Sequence, residues 1–215
     1  RQALRFQNDF NAEVQAENNG RFTTGFVVHA GFVEGALWEI ERCVEKLGMK
    51  VLCLPTHYLN TAGKWKVIFN KETEPILELA NKYKLAIEVH PYDGEKFIKL
   101  EDTSWRFHVI WMLAQCADSY HFYTLNGYYE KYPDIRTCFA HGGQLNHINI
   151  GRRTQGFDGR PDLFEGMERP RKAVGPPNIY FDTLVHDTIA FEVMLRMQPS
   201  TDQILMGLNM SIIHI

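Results

Sequence analysis

The sequence predicts an α/β protein of the (β/α)8 barrel type (TIM type), from which the first two strands and the last helix would be missing. Three observations predict it. Six short apolar runs of strand character alternate with helical segments, which is typical of parallel βαβ units. Two of these runs, residues 85–89 and 135–140, end at His90 and His141, where turn residues follow at once. The chain also opens with a helix and closes just after a strand.

The strands are predicted from apolar runs of four to six residues bounded by turn residues or helices. In chain order they are residues 25–28, 51–54, 85–90, 135–140, 179–184 and 203–206.

The helices are predicted from longer amphipathic stretches, and several have recognisable ends. Asn19 and Gly20 end the first helix and Gly48 caps the second, while Pro75 is tolerated in the first turn of the third and Pro133 stops the fourth. Their predicted ranges are residues 2–18, 33–47, 72–83 and 109–130, a mixed helical segment 144–157, and 188–197. Residues 60–66 and the stretch from Gly94 to Trp105 are predicted to be loops.

The alternative to a barrel is a doubly wound open sheet, which tolerates six strands without loss. The sequence has no Gly-x-Gly-x-x-Gly turn after a strand, which argues against the dinucleotide-binding version of that fold. The chain begins with Arg1 instead of methionine, so the sequence is expected to be a fragment or processed form of a longer protein.

Composition favours one globular domain over residues 1–215, because 45% of the residues are hydrophobic. The net charge of −3, without Lys/Arg runs, argues against nucleic acid as a partner. No apolar stretch approaches the ~18 residues of a membrane span, and no signal-peptide pattern opens the chain. The four cysteines lack C-x-x-C spacing and are interpreted as reduced core residues, which predicts a cytoplasmic protein.

His90 and His141 are the strongest candidate functional residues, because βα folds keep their chemistry at the carboxyl ends of strands. A single histidine there is more often a hydrogen-bonded structural residue. Two of them at the ends of neighbouring strands predict a site. His29, His57, His121, His147 and His214 are interpreted as structural.

Five segments carry a family resemblance that runs from about residue 9 to residue 207. They are residues 41–48 (ERCVEKLG), 89–93 (VHPYD), 138–143 (CFAHGG), 159–163 (GRPDL) and 184–187 (LVHD). In order and spacing they resemble aminocarboxymuconate-semialdehyde decarboxylase and its relatives, in the metal-dependent amidohydrolase superfamily. The resemblance implies a distorted eight-stranded barrel.

The resemblance also implies one divalent metal, commonly zinc, held by a His-x-His pair on strand one, a histidine ending strand five and an aspartate ending strand eight. His90 matches the strand-five ligand, and a neutral imidazole suits Zn²⁺. The His-x-His pair is absent from this sequence. Asn209 stands at the aspartate position, where a neutral amide is a poorer ligand, and the likeness stops at Met210.

His141 matches the family's general acid/base, a role that suits an imidazole because its usual pKa lies near neutrality. Arg160 matches an arginine that reaches into the partner subunit's site and binds a substrate carboxylate, which implies a homodimer. Without the resemblance it would be interpreted as a surface arginine paired with Asp158 or Asp162.

Four further residues are assigned to the surroundings of the site. Tyr92 and Trp105 are expected to form a wall of the substrate pocket, although aromatic residues there are as often loop anchors. His108 and Tyr92 each stand where the family has a tryptophan. His186 either orients a neighbouring group of the site or caps the next helix, and the sequence does not decide between the two.

The function implied by the resemblance is metal-dependent, non-oxidative decarboxylation of an unsaturated or aromatic carboxylic acid. One alternative is hydrolysis of a lactone or amide bond at the same metal site. The other is an inactive paralogue or truncated fragment, which the absent His-x-His pair and Asn209 favour for the chain taken by itself.

Overall fold

The computed structural model describes residues 2–18, 20–91, 105–170 and 176–207. Its strands are β1 (Gly25–Val27), β2 (Val51–Pro55), β3 (His57–Leu59), β4 (Trp65–Val67), β5 (Ala86–His90), β6 (Arg136–Phe139), β7 (Ile179–Asp182) and β8 (Ile204–Leu205). Its helices are α1 (Gln2–Glu17), α2 (Val33–Glu45), α3 (Glu74–Lys82), α4 (Met112–Leu125), α5 (Tyr128–Lys131), α6 (Gln144–Gly159) and α7 (Thr188–Met197).

Six of the strands form one parallel sheet in the order β1-β2-β5-β6-β7-β8. Each new strand is added to the same edge of the sheet, and a helix lies between each consecutive pair. This one-directional winding is that of a (β/α) barrel, whereas a doubly wound sheet reverses its strand order at a switch point. The predicted alternation of strands and helices is confirmed, and the open doubly wound alternative does not fit these strands.

The hydrophobic core lies between this sheet and the helices packed on its outer face. In β5, Ile87 and Val89 point into that core and are almost completely buried. Strand residues alternate between the two faces, so Glu88 and His90 lie on the opposite, inner face of the sheet. The functional side chains are therefore carried on the inner face and the structural ones on the outer face.

The single helix predicted for residues 109–130 is wrong, because the structure divides it. Phe107–Trp111 form a π-helical turn, α4 follows directly, and the chain then breaks before the short helix α5. Gly127 lies at the break with φ 63°, a conformation that favours glycine. A Cβ atom at this position would also lie 2.4 Å from Oε1 of Glu168.

The loop predicted for residues 60–66 is partly a hairpin, in which β3 and β4 pair antiparallel from His57–Val67 to Leu59–Trp65. Asn60 holds the turn, because its Oδ1 accepts the backbone N–H groups of Ala62 (3.1 Å) and Lys64 (3.0 Å). Such local side-chain turns leave little hydrophobic pattern in a sequence.

The segment 144–157, predicted to be mixed, is the regular helix α6. Across the described ranges, the helices are all too short or too polar to span a lipid bilayer.

Candidate functional site

Two histidines stand side by side where neighbouring strands end. His90 is the last residue of β5, and His141 follows β6, whose Phe139 pairs with Val89. The two imidazole rings meet edge to face, with their centroids 5.0 Å apart. Parallel pairing thus brings together two residues that are about fifty positions apart in the sequence.

The turn after β6 holds His141 in an unusual backbone conformation. His141, Gly142 and Gly143 all have positive φ values, of 62°, 62° and 57°. Left-handed backbone at a non-glycine residue is uncommon and is enriched at functional sites. The two glycines are also sterically required, because a Cβ atom would lie 2.1 Å from Val185 at Gly142 and 2.4 Å from Phe181 at Gly143.

Asp182, the last residue of β7, holds this turn with its carboxylate. Its Oδ2 accepts the backbone N–H of His141 (3.1 Å), and its Oδ1 accepts those of Gly142 (2.8 Å) and Leu184 (3.0 Å). Gly207 packs so closely that a Cβ atom there would lie 2.7 Å from the Cβ of Asp182. Asp182 is not among the site residues predicted from the sequence, although it is an acidic residue inside a predicted strand.

His147 supports the same turn from α6. Its Nε2 lies 3.1 Å from the carbonyl oxygen of Gly142, to which it donates a hydrogen bond. Burial lowers the pKa of His147 to about 4, so the imidazole is neutral at pH 7. His147 therefore has the structural role expected from the sequence.

Cys116, in the first half of α4, contacts the imidazole of His141. Its Sγ lies 3.6 Å from Nδ1 of His141, and both side chains are buried. This contact was also missed, because a single cysteine within a helical stretch carries no signal of its spatial neighbour.

The electrostatic surroundings keep both strand-end histidines neutral. Burial lowers the pKa of His141 to about 4, and repulsion from His90, His186 and His108 adds to that effect, while the negative charge of Asp182 opposes it. Burial likewise lowers the pKa of His90. A neutral imidazole has a free nitrogen lone pair that binds a proton or a metal ion.

The two imidazoles line a cavity of about 540 Å³ on the inner face of the sheet. Asp182 and Glu88 also line it, and so do residues of β8 and Gly207, which follows that strand. This volume lies within the range of small-molecule sites.

His90 fits a metal ligand by its chemistry, because it is a neutral imidazole that lies at a strand end and faces the cavity. Across the described ranges, however, no three His, Cys, Asp or Glu side chains are grouped as a metal would need. Asn209, predicted at the weak ligand position, lies outside the described residues. Of the metal ligands predicted from the sequence, the described part of the chain thus contains one residue, His90.

Three of the other predicted site residues, Arg160, Trp105 and His108, are not among the described residues that line this cavity. Arg160 is exposed and makes a bidentate contact with Asp162, at 2.9 and 2.7 Å. Trp105 is 43% exposed, with its ring 4.9 Å from that of His108. Tyr92 lies outside the described residues.

His186 is exposed, has φ 54° and is close enough to His141 to affect its pKa. Capping of the next helix falls to its neighbour: Oδ1 of Asp187 accepts the backbone N–H of Ala190 (2.9 Å) at the start of α7. Helix capping, one of the two roles predicted for His186, is thus performed by Asp187.

Comparison with known proteins gives a family match over most of the chain. The family model described as "Amidohydrolase" matches residues 2–187. The chain is 27% identical over 194 residues to 2-amino-3-carboxymuconate-6-semialdehyde decarboxylase of Dictyostelium discoideum, a match that covers 89% of this chain and 52% of that protein. The chain therefore spans about half the length of this relative.

Solved structures with the same fold include two 5-carboxyvanillate decarboxylases. LigW2 from Novosphingobium aromaticivorans, solved with bound manganese and 3-methoxy-4-hydroxy-5-nitrobenzoic acid, has a TM-score of 0.78 at 17% identity, covering 98% of this chain and 61% of that one. LigW from Sphingomonas paucimobilis has a TM-score of 0.77 at 18% identity, covering 97% and 62%. At these identities the likeness shows the fold, and the predicted barrel class is confirmed.

Proposed function

Because the chain belongs to the amidohydrolase family, we propose that it forms part of a metal-dependent decarboxylase that removes CO₂ without oxidation from an unsaturated or aromatic carboxylic acid. The observation that carries the proposal is the pair of neutral imidazoles, His90 and His141, 5.0 Å apart at the edge of a ligand-sized cavity. The names of the three similar proteins described above are those of decarboxylases, which supports the reaction class.

His141 is the residue that moves the proton in this reaction. When the bond between carbon and the carboxylate breaks, its electron pair stays on the carbon, and a proton must replace the departing CO₂. The neutral imidazole of His141 takes up one proton from solvent, equal to the one that the acid releases on ionising, and passes it to that carbon, so that the acid is converted into its decarboxylated product and CO₂. Asp182 keeps the imidazole in place by holding the backbone of the turn.

We propose zinc as the metal, with His90 as one ligand and Asn209 as a weak ligand at the aspartate position. A divalent ion would supply Lewis-acid polarisation of the substrate's oxygen atoms. Nitrogen ligands suit zinc, but manganese is bound in one similar structure, so both metals belong in the test. Binding of each ion by the full-length protein and by His90→Ala, measured by calorimetry, tests the assignment.

Substrate binding is proposed for Arg160, Tyr92, Trp105 and His108. Arg160 and its partner Asp162 are both exposed, so the guanidinium can exchange that partner for a carboxylate in the site of a second copy, and the active form is proposed to be a homodimer. The described cysteines form no disulfide, which supports the proposed cytoplasmic location.

The deciding experiment is release of CO₂ from a panel of aromatic and unsaturated carboxylic acids by the full-length protein containing this chain. The His141→Ala variant is expected to abolish release while metal content, measured by plasma mass spectrometry, stays the same. Asp202→Asn, an exposed change, is the control. Retained release in His141→Ala would contradict the role of His141.

The same incubations separate the alternatives. A ring-opened or cleaved product formed without CO₂ would show that the protein is a hydrolase of lactones or amides and not a decarboxylase. Absence of any product from the metal-loaded protein would favour the inactive paralogue, which the amide at Asn209 already makes a serious alternative.

A further inference from the structure

We propose that Cys116 is a positioning residue for His141, holding the imidazole in the tautomer whose proton is on Nδ1 and whose Nε2 lone pair is directed to the cavity. This inference deepens the proposed function, on which its catalytic meaning rests. The arrangement itself depends only on the contact between the two side chains.

The first argument is the contact. Sγ of Cys116 lies 3.6 Å from Nδ1 of His141, a normal distance for a hydrogen bond to sulfur. Among the residues that the structure describes, no other hydrogen bond to this imidazole is found. Asp182 binds the backbone N–H of His141 and so fixes the turn, whereas Cys116 makes its contact with the ring itself.

The second argument is the protonation state of the thiol. Cys116 is 2% exposed, and burial raises the pKa of its thiol far above the usual range, with the charge of Asp182 adding to the effect. The sulfur is therefore a neutral thiol, which can accept the Nδ1–H of His141. The buried Nδ1–H is satisfied in this way, and Nε2 is left to take up a proton.

The third argument is that the turn of α4 that carries Cys116 is connected to the strands beside the site. The neighbouring Gln115 accepts a hydrogen bond from Oγ1 of Thr56 at 3.3 Å, and the backbone N–H of Thr56 donates to the carbonyl oxygen of His90 at 3.1 Å. One turn of α4 is thus connected to the end of β5, beside the ring that it positions. Asp118 adds a further link through its contact with His57 (2.9 Å).

The opposite tautomer would give a different chemistry. If the thiol donated its S–H to Nδ1, the proton of His141 would sit on Nε2, and no lone pair would face the cavity. His141 would then be unable to accept the proton that it later transfers to carbon. Measuring which ring nitrogen of His141 carries the proton therefore decides whether the inference is right.

The test is the tautomer of His141 in ¹⁵N-labelled protein, read from the long-range couplings between ring protons and nitrogens, with the signal assigned by its loss in His141→Ala. The expected result is a proton on Nδ1, and a mixture of tautomers in Cys116→Ala. Cys116→Ser, which keeps a hydrogen-bonding group, is expected to preserve the tautomer. A proton on Nε2 in the unsubstituted protein would overturn the inference, and so would an unchanged tautomer in Cys116→Ala.

Turnover provides the second measurement. Cys116→Ala is expected to lower kcat about tenfold with KM unchanged, since one hydrogen bond is removed, and Cys116→Ser is expected to recover most of the loss. Cys43→Ala is the matched control, because it removes an equally buried thiol from α2, away from His141. If the protein catalyses no decarboxylation, the tautomer measurement still tests the positioning, so the two failures remain distinct.

Discussion

The carboxylate of Asp182 accepts the backbone N–H of His141 across 3.1 Å, although the two residues are 41 positions apart in the chain. The same carboxylate also accepts the N–H groups of Gly142 and Leu184, so it connects the turn after β6 to the turn after β7. An imidazole on a left-handed backbone is thereby held against one side of the cavity. The position of the proposed acid/base thus depends on a carboxylate supplied by the neighbouring strand β7.

Asp182→Asn is expected to destabilise the protein by about 2 kcal/mol. An amide keeps only one acceptor oxygen, so its NH₂ group would face the N–H of His141, and a buried donor would lose its partner. The urea midpoint measures the loss, with exposed Asp202→Asn as the control. Equal midpoints for the two variants would show that the carboxylate does not hold the turn.

Gly142→Ala is expected to cost about 2 kcal/mol or more, because the added Cβ atom would lie 2.1 Å from Val185 on a backbone with φ 62°. Gly156→Ala is the matched control: it lies within α6, where a Cβ atom meets nothing within 4 Å. The helix propensity of alanine should stabilise that variant by about 0.5 kcal/mol. Thermal unfolding of both variants tests whether Gly142→Ala lowers the stability while Gly156→Ala raises it. A loss of stability in both variants would contradict the prediction.

Acid is expected to destabilise the protein through His121, a residue of α4 that contacts α6 and does not line the cavity. Its Nδ1 accepts the Nε–H of Arg153 at 2.7 Å, and burial, together with the charge of Arg153, lowers the pKa of His121 to about 4. A histidine with a lowered pKa contributes stability above its unfolded value of ~6.5, and that stability is lost as pH falls toward 4.

The contribution of His121 amounts to at most about 3 kcal/mol. His121→Gln keeps an acceptor oxygen but does not titrate, so it should reduce the difference in unfolding free energy between pH 7 and pH 4.5. Denaturant unfolding at the two pH values measures the difference. An undiminished difference in the variant would assign the acid sensitivity to other groups.

Arg160→Ala is expected to leave the urea midpoint unchanged, because the side chain and its partner Asp162 are exposed. In the proposed homodimer, the decarboxylation that we propose should nevertheless be lost, since the guanidinium would no longer reach the partner's site. Mixing inactive Arg160→Ala with inactive His141→Ala tests this directly, because a mixed dimer has one site with both residues intact. Recovered CO₂ release supports a shared site, and no recovery would place Arg160 and His141 in the same subunit's site or exclude the arginine.

The sequence predicted the framework of the site well, because strands and their ends leave strong local signals. Apolar runs closed by a histidine and turn residues located His90 and His141, and their strands are neighbours in the sheet. The interruption of the helix at Gly127 was not predicted, because the glycine stands in an otherwise helical stretch. Glu168, which leaves no room for a Cβ atom at Gly127, is distant from it in the sequence. The β3–β4 hairpin was missed because a local turn at Asn60 determines it.

The sequence by itself determined the alternation of strands and helices and the two histidines at strand ends, because each depends on residues close together in the chain. It also indicated the family, through short segments that keep their order and spacing along the chain. Only the tertiary structure decided what surrounds His141, since Asp182 of β7 binds its backbone N–H and Cys116 of α4 contacts its ring. Hydrogen bonds between distant segments have no period or spacing in a sequence. They exist only once parallel pairing has set the strands side by side and packing has placed α4 against them.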